Sequence, residues 1–227
     1  MLLAILVLAA GAVLFARWPA LRPRNVEVGA TTVVSRDDVL AKAAIDPGVN
    51  IWLQNTGAMR QRIETIPYVK EAFITRVPPA DVHITIVERA PYAVLVSGTM
   101  QALADHDLRV LGPVQPNDAT LPRFTLAQPL PGGPGTFVTD SATLSLRADN
   151  DALAAAHVDA ATLAHDTYGD LIVTLHNGIR VLFGEERELT KTIPLVKPIL
   201  DQVGRKGRPI DAIDLRAAAT PVVVYKK

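Results

Sequence analysis

The stretch IETIPYVKEAFITRVPPADVHITIVERAP, residues 63–91, decides how the first half of the chain folds. Pro67 closes a helical pattern at its start. Val69 to Val77 then reads as a strand, with Ala72 and Ile74 on one face and Phe73 and Thr75 on the other. The run from Pro78 to Asp81 makes a turn, and the next strand alternates without a break. Val82, Ile84 and Ile86 point one way, His83 and Thr85 the other. Glu88 follows the inward set, so its carboxylate is expected to reach a structural salt bridge or a partner contact. The stretch holds no nucleophile, metal cage or phosphate cradle.

Working towards the N-terminus, Met59, Ile63 and Ile66 recur at helical spacing in GAMRQRIETI, residues 57–66. Asp46 to Gly48 breaks the chain before it. An earlier helix over RDDVLAKAAI carries Val39, Leu40, Ala43 and Ala44 as its apolar stripe, and Ser35 with Asp38 forms a capping-box pattern at its start. Asp37 and Asp38 would then meet the positive end of the helix dipole. NVEVGA reads as a short strand with Val26 and Val28 on one face. The order is strand, helix, helix, strand, strand, and two helices on one face of a three-stranded sheet would bury both stripes.

Residues 1–16, MLLAILVLAAGAVLFA, carry no charge; Arg17, Trp18, Pro19, Arg22 and Arg24 follow. The run predicts a transmembrane anchor over residues 1–17 and a juxtamembrane linker over 18–23, with a cleaved signal peptide and a buried core helix as the alternatives. The arginines alone would place the N-terminus outside the cytoplasm, whereas a basic cytoplasmic tail preceding the given chain would reverse that orientation.

Beyond Pro91 the character changes. YAVLVSG, QALAD and LRVLG read as short strands, with Asp105-His106-Asp107 as the turn between the last two. PVQPNDATLPRF and PLPGGPG read as loops. NDALAAAHVDAATLA is weakly helical or a helix-to-strand connection, and Asn177-Gly178 predicts a two-residue type I′ hairpin. Leu189, Ile193, Val196 and Leu200 stand at helical spacing, where Pro194 and Pro198 predict a kinked or late-starting helix. AIDLRAAATPVVVYKK closes the chain as one or two strands.

Composition bounds the chemistry. The 227 residues are enough for one large domain or two smaller ones, and 49% are hydrophobic, so a core is assured. The 23 acidic and 23 basic residues balance, which argues against a dedicated nucleic-acid binder. There is no cysteine, so disulfides, thiolate zinc sites and cysteine nucleophiles are excluded. GxSxG, HExxH and P-loop motifs are absent. Gly132, Gly133 and Gly135 fall in the proline-punctuated LPGGPGT, not between a strand and a helix. His157 and His165, with Asp159 and Asp166, could share a helix face but complete no ligand set; His83 and His176 read as solvated. Glu185-Glu186 reads as the negative start of a helix, and Arg205-Lys206-Gly207-Arg208 as a solvated basic turn, with attraction to anionic partners as the lesser reading. No catalytic, cofactor-binding or metal-binding residue is assigned, and the chain reads as a non-enzyme.

The order and wording of NVEVGA, PGVNIWLQ, IPYVKEAFITRVPP and ITIVERAPYA resemble a POTRA domain, and more narrowly that of the FtsQ/DivIB family of bacterial cell division proteins. ALADHDLRVLG, with Leu108 where the family usually has glycine, and GDLIVTLHNGIRVLFGE, the helix bearing Lys191 and AIDLRAAATPVVV are similar to the family's C-terminal β domain. The resemblance implies an α+β protein: an N-terminal transmembrane helix, a POTRA domain (βααββ) over 24–91, and a mostly antiparallel β domain with one or two helices over 92–227. It implies a non-catalytic scaffold of the divisome, single-pass in the inner membrane at the septum, with a cytoplasmic N-terminus and extracytoplasmic bulk. FtsB-like and FtsL-like proteins would be its partners, and other divisome proteins would meet the POTRA domain. In this family the strand after the DLR motif pairs with the partner, which maps onto Ala217 to Tyr225, with Ala217, Ala219, Val222, Val223, Val224 and Tyr225 at the contact and Arg216 placed to pair with a partner carboxylate. Alternative readings are another POTRA protein of envelope assembly or secretion, an extracytoplasmic enzyme with an unrecognised site, and a secreted binding module. For the closing PVVV itself, the alternative is a plain core strand.

Overall fold

The computed structural model describes residues 1–184, 189–205, 208–217 and 219–226. Glu185, Glu186, Lys206 and Gly207, on which two of the charge readings fall, lie outside the described residues. The chain divides into two compact units, Met1–Ala90 and Pro91–Lys227.

The first unit begins with helix α1, Leu2–Arg17, whose apolar side chains are exposed along nearly its whole length. Its 16 residues rise about 24 Å, short of a hydrocarbon core of about 30 Å. No helix among the described residues is long and apolar enough to cross a membrane. The anchor expected over 1–17 is thus an exposed apolar helix, and a full span is not seen.

Strand β1 (Val26–Val28), helices α2 (Arg36–Ala43) and α3 (Thr56–Ile63), and strands β2 (Val69–Val77) and β3 (Asp81–Glu88) follow in the expected order. The sheet runs β1-β3-β2, with β3 parallel to β1 and antiparallel to β2. Inward β3 residues Val82, Ile84 and Ile86 pack with Val39, Ala43, Met59 and Ile63 from the two helices. Each helix is shorter than its pattern suggests. Ala44 takes a left-handed conformation and ends α2, while Glu64 caps α3 before Pro67 is reached. At the start of α2 the Ser35 hydroxyl accepts from the Asp37 amide, a simple N-cap in place of a capping box.

Glu88 corrects its own expectation. Its carboxylate accepts the amides of Thr32, Val33 and Val34 at 2.9, 3.0 and 2.8 Å. Partial burial pushes its pKa up, but the three amides outweigh that and hold it below the ordinary glutamate value. The end of β3 thereby pins the loop that leads into α2, through backbone amides and not a salt bridge.

Among its described residues the second unit is built on one nine-stranded sheet, ordered β12-β11-β10-β9-β8-β7-β4-β5-β6. Its strands are β4 (Pro91–Ser97), β5 (Met100–Asp105), β6 (Val110–Gly112), β7 (Arg123–Thr125), β8 (Ala160–His165), β9 (Leu171–Leu175), β10 (Arg180–Phe183), β11 (Ile210–Leu215) and β12 (Val222–Tyr225). Most neighbours are antiparallel, but β7 runs parallel to both β4 and β8, and β10 parallel to β11. Helix α4 (Ser141–Ala155) packs on β8, helix α5 (Leu189–Gly204) packs on β10 and β11, and the helices touch each other. Phe124 of β7 and Phe183 of β10 are fully buried in the shared core.

Several local expectations change. Helix α4 starts earlier than its alanine-rich end suggests, because Asp140 Oδ1 accepts the Thr143 amide at 2.9 Å and caps it. His157 lies just past α4 and His165 ends β8, so they share no helix face. The β9–β10 loop is not a two-residue type I′ turn: Gly178, at φ 83°, donates to Leu175, and Leu175 donates to Ile179. That is the three-residue hairpin with glycine in the left-handed position. Helix α5 spans both prolines, which sit on its exposed face, where water can solvate the carbonyls they leave without a donor.

Candidate functional site

Among the described residues, β12 stands at one end of the nine-stranded sheet. Strand β12 pairs antiparallel with β11, Val222 against Asp214, Val223 against Ile213, Val224 against Ala212 and Tyr225 against Ile210. Beyond Tyr225 the Lys226 amide still donates to Pro209 at 3.0 Å. Backbone groups of a strand turn to alternate sides, so Val222 and Val224, in phase with Lys226, address β11. Val223 and Tyr225 then direct their N–H and C=O groups to the open side, where no further strand stands among the described residues.

Side chains alternate as well. Val223 and Tyr225 pack against the core, while Val222 and Val224 remain 56% and 45% exposed. Arg208 lies 4.2 Å over the Tyr225 ring, a cation–π contact that steadies the strand's end. The strand is shorter than the Ala217–Tyr225 segment read from the sequence. Ala217 and Ala219 belong to the preceding turn, in which Thr220 donates to Ala217 at 3.0 Å; Pro221, with no N–H, enters the strand. Ala218 lies outside the described residues.

Arg216 is already engaged. Its Nη2 stands 2.6 Å from Asp214 Oδ2, and its Nε donates to Asp214 Oδ1 at 3.0 Å. Those side-chain hydrogen bonds hold the Asp214 carboxyl below the usual aspartate range and raise the guanidinium pKa. Asp214 is the residue that sequence reading missed; its signal was the Asp-x-Arg spacing, which puts both side chains on one side of a strand end. A cavity of about 430 Å³ lies here, lined by Asp214, Arg216, Ala217, Thr220 and Val222. Gly184 permits this arrangement, since a Cβ there would come within 3.0 Å of the Arg216 carbonyl oxygen.

Other polar clusters have structural work. The Tyr92 hydroxyl donates to Asp151 at 2.6 Å and accepts from Asn150 at 2.9 Å, tying β4 to α4, and burial pushes its pKa well above the usual tyrosine value. No group of three metal-ligating side chains occurs among the described residues.

Comparison with known proteins agrees with this architecture. Residues 21–89 match the FtsQ-type POTRA domain. The chain is 30% identical to the cell division protein FtsQ of Mycolicibacterium smegmatis over 204 residues, covering 89% of this chain and 59% of that protein. FtsQ of Mycobacterium tuberculosis is 28% identical over 191 residues, covering 82% and 57%. FtsQ of a Geobacter species is 30% identical over 92 residues, covering 40% and 34%. The chain therefore spans about three-fifths of the length of its mycobacterial relatives. With the POTRA domain matched and both units falling within the long alignments, the chain belongs to the FtsQ/DivIB family of bacterial cell division proteins.

Proposed function

We propose that the chain is a non-catalytic scaffold of the bacterial division machinery whose strand β12 captures a strand of an FtsB-like partner. An FtsL-like protein joins through that partner, and the assembly helps to control septal peptidoglycan synthesis. Residues 1–17 attach the chain to the inner membrane, 18–23 link it to the POTRA domain at 24–91, and 92–227 carry the partner edge. The N-terminus is cytoplasmic and the bulk extracytoplasmic, at the septum, where the POTRA domain meets other divisome proteins. The family relationship supports the division role, and the exposed apolar helix supports attachment.

The observation that carries the recruitment reading is the open side of β12. An incoming strand would take the N–H and C=O groups of Val223 and Tyr225 as ladder partners and lay its own apolar side chains beside Val222 and Val224. Arg216 keeps guanidinium N–H groups beyond those given to Asp214, so it can also meet a partner carboxylate.

The test is titration of residues 25–227 with a peptide from the extracytoplasmic end of an FtsB-like protein. Val223→Pro removes an outward donor, and binding should fall at least about 100-fold while the circular dichroism spectrum stays unchanged. Equal binding by the proline variant rules out edge pairing. Depletion in the native cell checks the division role itself: filaments without septa support it, and normal division refutes it.

A further inference from the structure

Where helix α1 gives way to the POTRA domain, four short segments come together. Asn50 Nδ2 donates to the Phe15 carbonyl at 2.9 Å, fastening the Val49–Leu53 turn to the last turn of the apolar helix. Trp52 Nε1 donates to the Pro79 carbonyl at 3.1 Å, and the Arg24 amide donates to Ala80 at 3.1 Å. The β2–β3 turn and the post-helix arginines are thereby drawn to the same place.

The turn is built, not loose. Ile51 is fully buried beneath it, and Asn50 Oδ1 caps the Trp52 amide at 2.9 Å. Yet Val49, Trp52 and Leu53 are held outward, 41%, 37% and 55% exposed. Arg17 follows Phe15 by two residues, the Arg24 amide is tied to Ala80 and exposed Arg22 lies between them in the chain, while the Arg76 guanidinium stands 5.9 Å from the Trp52 ring centre. Asp46 and Asp81 are the acidic neighbours in sequence of these turns, so cations predominate. Phe15 marks the level at which the chain changes from apolar to basic.

We propose that this side of the POTRA domain is a second membrane-contact site, in which Val49, Trp52 and Leu53 enter the headgroup region of an anionic bilayer next to α1. Continuity with the apolar helix fixes the occupant: a turn hydrogen-bonded to Phe15 shares its depth, about 5–10 Å below the headgroup boundary for an interfacial apolar face. The arginines supply attraction to acidic lipid. The inference rests on the membrane attachment proposed above and adds a docked orientation of the domain against the bilayer.

The chain contains only two tryptophans, Trp18 and Trp52, which separates the two ideas. The full chain is reconstituted into phosphatidylglycerol-containing vesicles with acyl chains brominated near the headgroup. In a Trp18→Phe variant, emission from Trp52 should shift to the blue and be quenched by bromine; in Trp52→Phe, Trp18 should be quenched. Quenching of Trp18 alone overturns the docking proposal and leaves the attachment intact, whereas quenching of neither overturns the attachment. Adding Val49→Asp and Leu53→Asp to the Trp18→Phe chain should abolish the Trp52 quenching; persistence overturns the proposed contact. Equal quenching in purely zwitterionic vesicles overturns its anionic character. A Trp52 dark to bromine but shielded from aqueous acrylamide means that a second copy or another protein covers the turn, which also overturns it.

Discussion

The nine-stranded sheet ends in two opposite ways. At β6 the chain folds back along the edge: Val110 donates to Thr136 and accepts from Gly135, Val138 donates to Leu108, and Arg109 bridges Phe137. At β12 the outward groups of Val223 and Tyr225 meet no further strand among the described residues. Natural sheets generally cover or blunt their edges, because unpaired amides invite other chains. The difference teaches that covering an edge was within this fold's means. The proline- and glycine-rich segment that reads as a loop lies along the β6 edge, and β12 has no counterpart among the described residues.

The strongest way to break the comparison is to spoil the cover. Val138 is almost fully buried and ties the returning segment to Leu108. Val138→Asp buries an unpaired charge, and we expect a loss of about 3 kcal/mol or more, read as a fall in the urea midpoint. A stable Val138→Asp protein would show the covering segment to be dispensable and the two edges alike.

Within β12, prolines at adjacent positions sharpen the contrast. Val224 addresses β11, so Val224→Pro deletes a ladder bond and should cost about 2–3 kcal/mol. Val223 addresses the open side, so Val223→Pro should cost about 1 kcal/mol or less, while being the variant that loses partner binding. Equal losses at the two positions in chemical denaturation would mean that the outward and inward assignments are mistaken.

The POTRA unit offers a smaller effect of the same kind. Glu88 closes a loop with three amides, and replacement by alanine should cost about 1–2 kcal/mol, discounted for its partial exposure. Because the folded pKa is depressed, that contribution is present above the ordinary glutamate value and disappears as pH falls through the lowered folded value. Wild-type and Glu88→Ala stabilities should therefore converge in acid; a constant gap from neutral to acidic pH would contradict the latch.

How much of this was legible follows from where the signals lie. Strand alternation at Val82, Ile84 and Ile86 and helical spacing at Met59 and Ile63 are local, and the POTRA order follows from them. The parallel placement of β7 between β4 and β8 has no local signal: Phe124 sits in a three-residue strand inside a proline-rich stretch, and only long-range packing makes it central. The α4 start was present as Asp140 three residues before Thr143, masked by the loop composition ahead of it. At the site, the strand itself was readable from Val222 to Tyr225. Which of its side chains face solvent (Val222 and Val224), which pack on the core (Val223 and Tyr225) and which backbone groups reach β11 depend on the register with β11.

The smallest expected effect concerns Arg216, and it separates two ways in which the open edge could recognise a strand. The guanidinium is solvated and its fork with Asp214 spans neighbouring residues, so Arg216→Ala should lower the urea midpoint only slightly at neutral pH. It should nevertheless release Asp214, whose carboxyl, followed by NMR, returns upward towards the usual aspartate range. Since the folded pKa of Asp214 is lowered, whatever stability the fork adds is present above that range and lost as pH falls through the folded value. Binding is the discriminating measurement. If the free guanidinium N–H groups take a partner carboxylate, Arg216→Ala weakens the peptide about tenfold and the salt dependence of binding falls. If affinity and salt dependence stay as they were while Val223→Pro still abolishes binding, recognition at this edge runs through the backbone ladder alone, and the fork serves only to shape the turn that delivers β12 to its place.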